Sequence, residues 1–174
     1  MKTLFLTRLP VLFVVVAFCF SSNPLYSQAV VQDTAFIDQL YTKSKKFWAT
    51  DNDSSRYYLL QVEALSKAIK YTRGEAYALY GYGVIENVLY KQFEYFTRSL
   101  DIFEKLQDKH GIGLNLIKIG NIYELIGQSE KALEYYKQSL VVKKAVDDFG
   151  GIALALIHIG HYYQYALRNT KRQR

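Results

Sequence analysis

The sequence predicts an all-α protein, an α-solenoid of antiparallel helix pairs. Three observations carry this. Gly111 to Asp148, GIGLNLIKIGNIYELIGQSEKALEYYKQSLVVKKAVDD, has the pattern of two amphipathic helices joined by a tight turn, and related stretches flank it on both sides. A junction recurs as Thr72-Arg73-Gly74-Glu75-Ala76, Lys109-His110-Gly111-Ile112-Gly113 and Phe149-Gly150-Gly151-Ile152-Ala153, and nine residues after each opening glycine comes another, at Gly83, Gly120 and Gly160. Both prolines, Pro10 and Pro24, lie before residue 30, so nothing beyond them removes a helical N–H.

Taken in order, residues 32–48 form a first helix through Phe36, Ile37, Leu40, Tyr41, Phe47 and Trp48. Asp51-Asn52-Asp53-Ser54-Ser55 is a turn and N-cap cluster, since short polar side chains satisfy the first free N–H groups of a helix. A second helix runs to about Tyr71, with Tyr58, Leu59, Val62, Leu65, Ala68 and Ile69 at three-to-four spacing. The pair, 32–71, is a degenerate first repeat. The second repeat spans 74–110, and its Tyr95-Phe96-x2-Ser99-Leu100 matches Tyr135-Tyr136-x2-Ser139-Leu140 of the third, 111–150. It is shorter by close to one helical turn near Leu89 to Lys91, which keeps its buried faces in phase. The fourth unit, 151–167, opens with Leu156-x2-Ile159-Gly160-x2-Tyr163 and is followed by a basic tail, 168–174, with no second helix to cover those side chains.

The third repeat is the most regular. Leu116-x2-Ile119-Gly120-x2-Tyr123 is followed by Ala132-x3-Tyr136. Gly120 and Ala132 are small where the two helices would cross, and Tyr123 and Tyr136 fill the space around the crossing. Gly127-Gln128-Ser129-Glu130 stops one helix and restarts the next. On these residues the segment resembles the tetratricopeptide repeat family. Its length, 40 residues from Gly111 to Gly151, is that of a long variant found in bacterial sensor and regulator proteins, against about 34 for the common unit. It departs from the family at Lys144, where a proline is usual, and the second repeat departs at Glu86, in place of Tyr, and at Gln92, near the small position.

The resemblance implies a right-handed solenoid whose first helices line a concave groove for a protein or peptide. Carried across by register, the groove positions are Leu114, Ile117, Asn121 and Glu124, then Leu154, Ile157, His161 and Gln164, and, in the looser second repeat, Tyr77, Tyr80, Val84 and Asn87. Asn121 is the leading contact, because an amide can bond both the N–H and the C=O of an extended peptide. The resemblance also implies the sensory portion of a signalling protein, such as one associated with a histidine kinase. The alternative is a self-assembling scaffold, a homodimer through Leu156, Ile159 and Tyr163.

No enzyme is expected. Gly81-Tyr82-Gly83 lacks the strand and the Gly-Lys-Ser/Thr ending of a phosphate loop, and there is no nucleophile elbow and no His-Glu-x2-His. His158 and His161 are spaced to share a metal, but no third ligand stands near them in sequence, so no metal and no cofactor are expected. Most of the tyrosines fall at helix-packing spacing and belong to the core, with their hydroxyls at its rim.

The N-terminus reads as a leader. Lys2 and Arg8 precede the apolar run Val11 to Phe20, and polar and small residues follow to Ala29, the layout of a signal peptide cleaved after Ser27 or Ala29. An uncleaved anchor is the minor alternative. Lipidation at Cys19 is disfavoured by the bulk of Phe18. The expected location is therefore periplasmic or extracellular. Cys19 is the sole cysteine, so the chain beyond the leader has neither disulfides nor thiolate metal sites. The net charge of +6 is local: Lys2, Arg8, Arg168, Lys171, Arg172 and Arg174 account for it, and Val30 to Leu167 is neutral. No basic face for nucleic acid is implied.

Overall fold

The computed structural model describes residues 24–172, and the side chains of 33–168. The expected leader, residues 1–29, lies largely outside them. Among the described residues there are seven α-helices and no strand: α1 (Pro24–Lys45), α2 (Asn52–Ile69), α3 (Thr72–Ile85), α4 (Leu89–Lys105), α5 (Lys109–Leu125), α6 (Ser129–Lys144) and α7 (Phe149–Arg172). Each helix packs on the next, α1 also meets α3, and α5 also meets α7. This is the contact pattern of a helical repeat. The last helix continues past Leu167, where the fold was expected to end, as far as Arg172.

The recurring junctions share one backbone solution. Lys70, Gln107 and Asp147, each just past a helix end, take left-handed φ of 59°, 54° and 53°. The next N–H then reaches back to the helix, Tyr71 to Ser66 O, Asp108 to Phe103 O and Asp148 to Lys143 O, which satisfies carbonyls the helix leaves open. Gly127, at φ 79°, does the same between α5 and α6. Two of the three helices that follow have an aspartate N-cap. Asp108 Oδ1 accepts from Gly111 N at 3.0 Å and Asp148 Oδ1 from Gly151 N at 2.8 Å. Tyr71, in the same register, provides no side-chain cap.

The expected glycine contacts are present. A Cβ at Gly83 would stand 2.6 Å from the Phe96 ring, and one at Gly120 would stand 2.6 Å from the Tyr136 ring. Beside each crossing a buried serine of the second helix donates to the first: Ser99 Oγ to Ala76 O and Ser139 Oγ to Gly113 O, both at 2.9 Å. Burying a ring such as Phe103 or Tyr136 is worth roughly 1.5–3 kcal/mol, so these contacts hold the pairs together. The irregular second repeat also has a physical reason. Glu86 ends α3, and its Oε1 accepts from Asn87 N and Val88 N at 2.9 and 3.1 Å, while Gln92 Nε2 donates to Glu86 O. The two departures from the repeat pattern build its shorter turn.

One register position is occupied differently in each repeat. Eight residues before Gly74, Gly111 and Gly151 stand Ser66, Phe103 and Lys143, all fully buried against those glycines. Lys143 fills the place of a phenylalanine with its aliphatic stem and pairs its ammonium with Asp148, at 2.7 Å.

Candidate binding surface

The residues expected to line a groove divide into two sets. Tyr80 is only 5% exposed, with its ring between Trp48 and Phe96 at centroid distances of 5.9 and 5.5 Å. Ile117, six residues after its opening glycine as Tyr80 is, is 4% exposed. Neither offers surface to a ligand, which corrects their assignment: this register faces inward wherever another repeat follows. Tyr77 is half-buried, its ring against Tyr41 at 4.7 Å and Phe103 at 5.0 Å, and Leu114 is half-buried against the core. Val84 is half-buried and Asn87 exposed. Toward the end of the array the register opens: Glu124, Leu154, Ile157, His161 and Gln164 are exposed and Asn121 is half-buried.

Three helices bring a polar cluster together at that end. Tyr136 is buried in α6, and its hydroxyl lies 2.9 Å from Asn121 Oδ1 and 2.7 Å from Glu124 Oε2, both on α5. The hydroxyl has one proton to share between these two acceptors, and Glu124, nearer and charged, is the stronger. Burial pushes the Tyr136 phenol above its ordinary range, and the Glu124 hydrogen bond and charge push the same way. His158 of α7 stacks on the Tyr136 ring at 4.6 Å and 15°. Burial lowers the His158 pKa; Glu124 opposes that, and His161 and Lys118 add to it. Lys118 is itself lowered by burial.

The chemistry follows from these contacts. The Asn121 carbonyl oxygen is engaged with Tyr136, so the amide presents its N–H groups, not both halves as the sequence suggested. A donor held this way can meet a main-chain carbonyl. Ile157 and Leu154 add apolar surface on α7. The sequence reading missed Lys118. Its signal was the register, since it stands seven residues after Gly111 as His158 does after Gly151.

The histidine pair completes no metal site: among the described residues no group of three or more His, Cys, Asp or Glu is placed to hold an ion. A second concavity, between α2, α3 and α4, is walled by Glu63, Lys67, Glu75, Arg98 and Asp101. Much of its charge is spent on ion pairs along the helices, Lys67 with Glu63 and Arg98 with Glu94, so it presents little net field. None of the described helices is long and apolar enough to cross a membrane. No protein-family model matches the sequence, and no curated protein matches it.

Proposed function

We propose that this chain is a peptide-binding module of the tetratricopeptide type, exported to the cell envelope, that acts by recognition and not by catalysis. The ligand is an extended segment of another protein, laid along α5 and α7. The observation that carries this is the half-buried Asn121 amide, engaged through Oδ1 by a buried tyrosine on whose ring His158 of α7 stacks, while Ile157 and Leu154 of the same α7 are exposed. A carbonyl of the ligand accepts from Asn121, and one apolar side chain rests on Ile157. Repeat surfaces of this kind bind through such arrays of small contacts and need no reactive group. The apolar run Val11 to Phe20 supports export, and the long repeat supports a place as the input portion of a signalling system.

The test is selection of binding peptides from a random displayed library, followed by titration calorimetry. Asn121→Ala and Ile157→Asp should each weaken a selected peptide about tenfold or more, the cost of one buried hydrogen bond or apolar contact. Arg98→Ala, on the far concavity, should leave affinity unchanged. Peptides that bind with no loss in either groove variant would sink the assignment.

A further inference from the structure

The groove between α2, α3 and α4 breaks the repeat pattern in a way that points to a ligand. It encloses about 470 Å³, within the roughly 300–1,000 Å³ of small-molecule sites. Its floor is apolar, Ala78 and Leu79 of α3 with Ile102 of α4. Its walls are not. Glu63 occupies the register of Leu100 and Leu140, and Glu75 that of Ile112 and Ile152. Both acids stand where the other repeats place aliphatic side chains, and such local exceptions to the packing pattern concentrate at functional sites.

The charges around the groove are engaged unequally. Glu63 accepts from the Tyr82 hydroxyl at 2.8 Å and pairs with Lys67. Asp101 pairs with Lys105 at 2.6 Å. Arg98 reaches Glu94 only at 3.4 Å, and it lies near enough to α2 for its charge to act on both Glu63 and Lys67. Glu75 is half-buried; its charge acts on Lys67, but among the described residues no hydrogen bond or ion pair engages it. The groove therefore offers a free carboxylate and a loosely held guanidinium. Ser99 Oγ donates to Ala76 O at 2.9 Å, which sets their sequence neighbours Arg98 and Glu75 at one level across it.

We propose that this groove binds a free α-amino acid with an apolar side chain. The ammonium meets Glu75, the carboxylate meets Arg98, and the side chain lies on Leu79 and Ile102. Arg98 exchanges its long contact to Glu94 for a short charge-assisted one to the ligand. A groove with little net field suits a ligand with no net charge, because a zwitterion needs an acid and a base set apart, not an excess of either. An amine alone would leave Arg98 unanswered, and a carboxylic acid alone would be repelled by Glu75. The site is distinct from Asn121 and Ile157, so it goes beyond peptide recognition, and either reading can fail without the other.

The full chain is titrated with L-leucine, L-phenylalanine and L-methionine and followed by NMR. At least one should give saturable shifts below roughly 10 mM. The amide of the tightest binder, which lacks the carboxylate, and its deaminated acid, which lacks the ammonium, should each bind at least tenfold more weakly. Glu75→Gln and Arg98→Ala should each weaken the amino acid tenfold or more, with circular dichroism showing that both still fold, and Asn121→Ala should change nothing. The two analogues decide the matter on the unaltered chain if either variant misfolds. Absence of a saturable shift with all three amino acids overturns the proposal. Binding that survives Glu75→Gln overturns it as well. An amide that binds as tightly as its amino acid would leave an amine site in which Arg98 has no part, and overturns the zwitterion.

Discussion

Lys143 Nζ lies 2.7 Å from Asp148 Oδ2, across the turn that joins α6 to α7. The lysine is 1% exposed, its stem against Gly113 and Gly151, and its ammonium also faces His110 O at 3.4 Å. The Lys143 hydrogen bond, then the one from Gly151 N, hold the Asp148 carboxyl below the usual range. Asp148→Asn keeps an acceptor for Gly151 N but leaves a buried cation without its counter-charge. It should cost about 2–3 kcal/mol, less than the ~3–5 of a wholly buried pair because Asp148 retains some solvent. A carboxyl lowered in the folded state contributes stability above its unfolded pKa of about 3.9, lost as pH falls through the lower folded value. Urea melts of both proteins from pH 7 to pH 3 should therefore converge at the acid end. A constant gap would show that the charge is not what matters.

The left-handed cap residues give a second expectation. Gln107 and Asp147 hold φ of 54° and 53° with a Cβ, at a position where glycine carries no such penalty. Gln107→Gly should stabilise the protein by about 0.5–1 kcal/mol, net of the extra freedom glycine gains when unfolded. Gly127→Ala, at φ 79°, should lose about 1 kcal/mol. Thermal melts of the two variants should move in opposite directions. Parallel shifts would mean that these junctions are not held as described.

How much of this was legible in the sequence can be followed at particular residues. The Gly111 to Gly120 spacing and the Tyr136 position were readable because a close crossing tolerates few residue types. The burial of Tyr80 and Ile117 was not, because register along one helix says which residues share a face but not how closely the next repeat covers it. Lys143 was not singled out in the sequence. Only comparison with Phe103 and Ser66 at the same register marks it as a core position, and only the fold supplies Asp148 as its partner. Asn121 was singled out from its place in the repeat, yet its orientation depends on Tyr136, from a different helix.

His158 makes stability depend on pH near neutrality. Its pKa is lowered chiefly by burial against the Tyr136 ring, with Glu124 opposing and His161 and Lys118 assisting. His110 is lowered too, by burial and by Lys143, against Asp148 and Asp108. For such groups the unfolded chain binds protons that the folded one refuses. Stability is complete above the unfolded value of about 6.5 and declines as pH falls through the lower folded values. His158→Phe keeps a ring to stack on Tyr136 and should shallow the fall between pH 7 and pH 5, with the His110 share remaining. An unchanged slope would move the effect elsewhere.

Gly120 and Gly160 occupy the same register in successive repeats, and the same substitution should have opposite effects. A Cβ at Gly120 would stand 2.6 Å from Tyr136 Cε1 and 3.3 Å from Tyr135 Cβ. The Tyr136 ring cannot easily give way, because Asn121 and Glu124 hold its hydroxyl and His158 covers its face. Overpacking of about 1–3 kcal/mol should exceed the gain in helix propensity. Gly160→Ala meets no neighbour among the described residues and should collect that gain undiminished, about 0.8–1 kcal/mol. Destabilisation by both would mean that α7 is already covered along its outer face within one chain. Stabilisation by both would mean that α5 and α6 do not cross as closely as the Tyr136 contact requires.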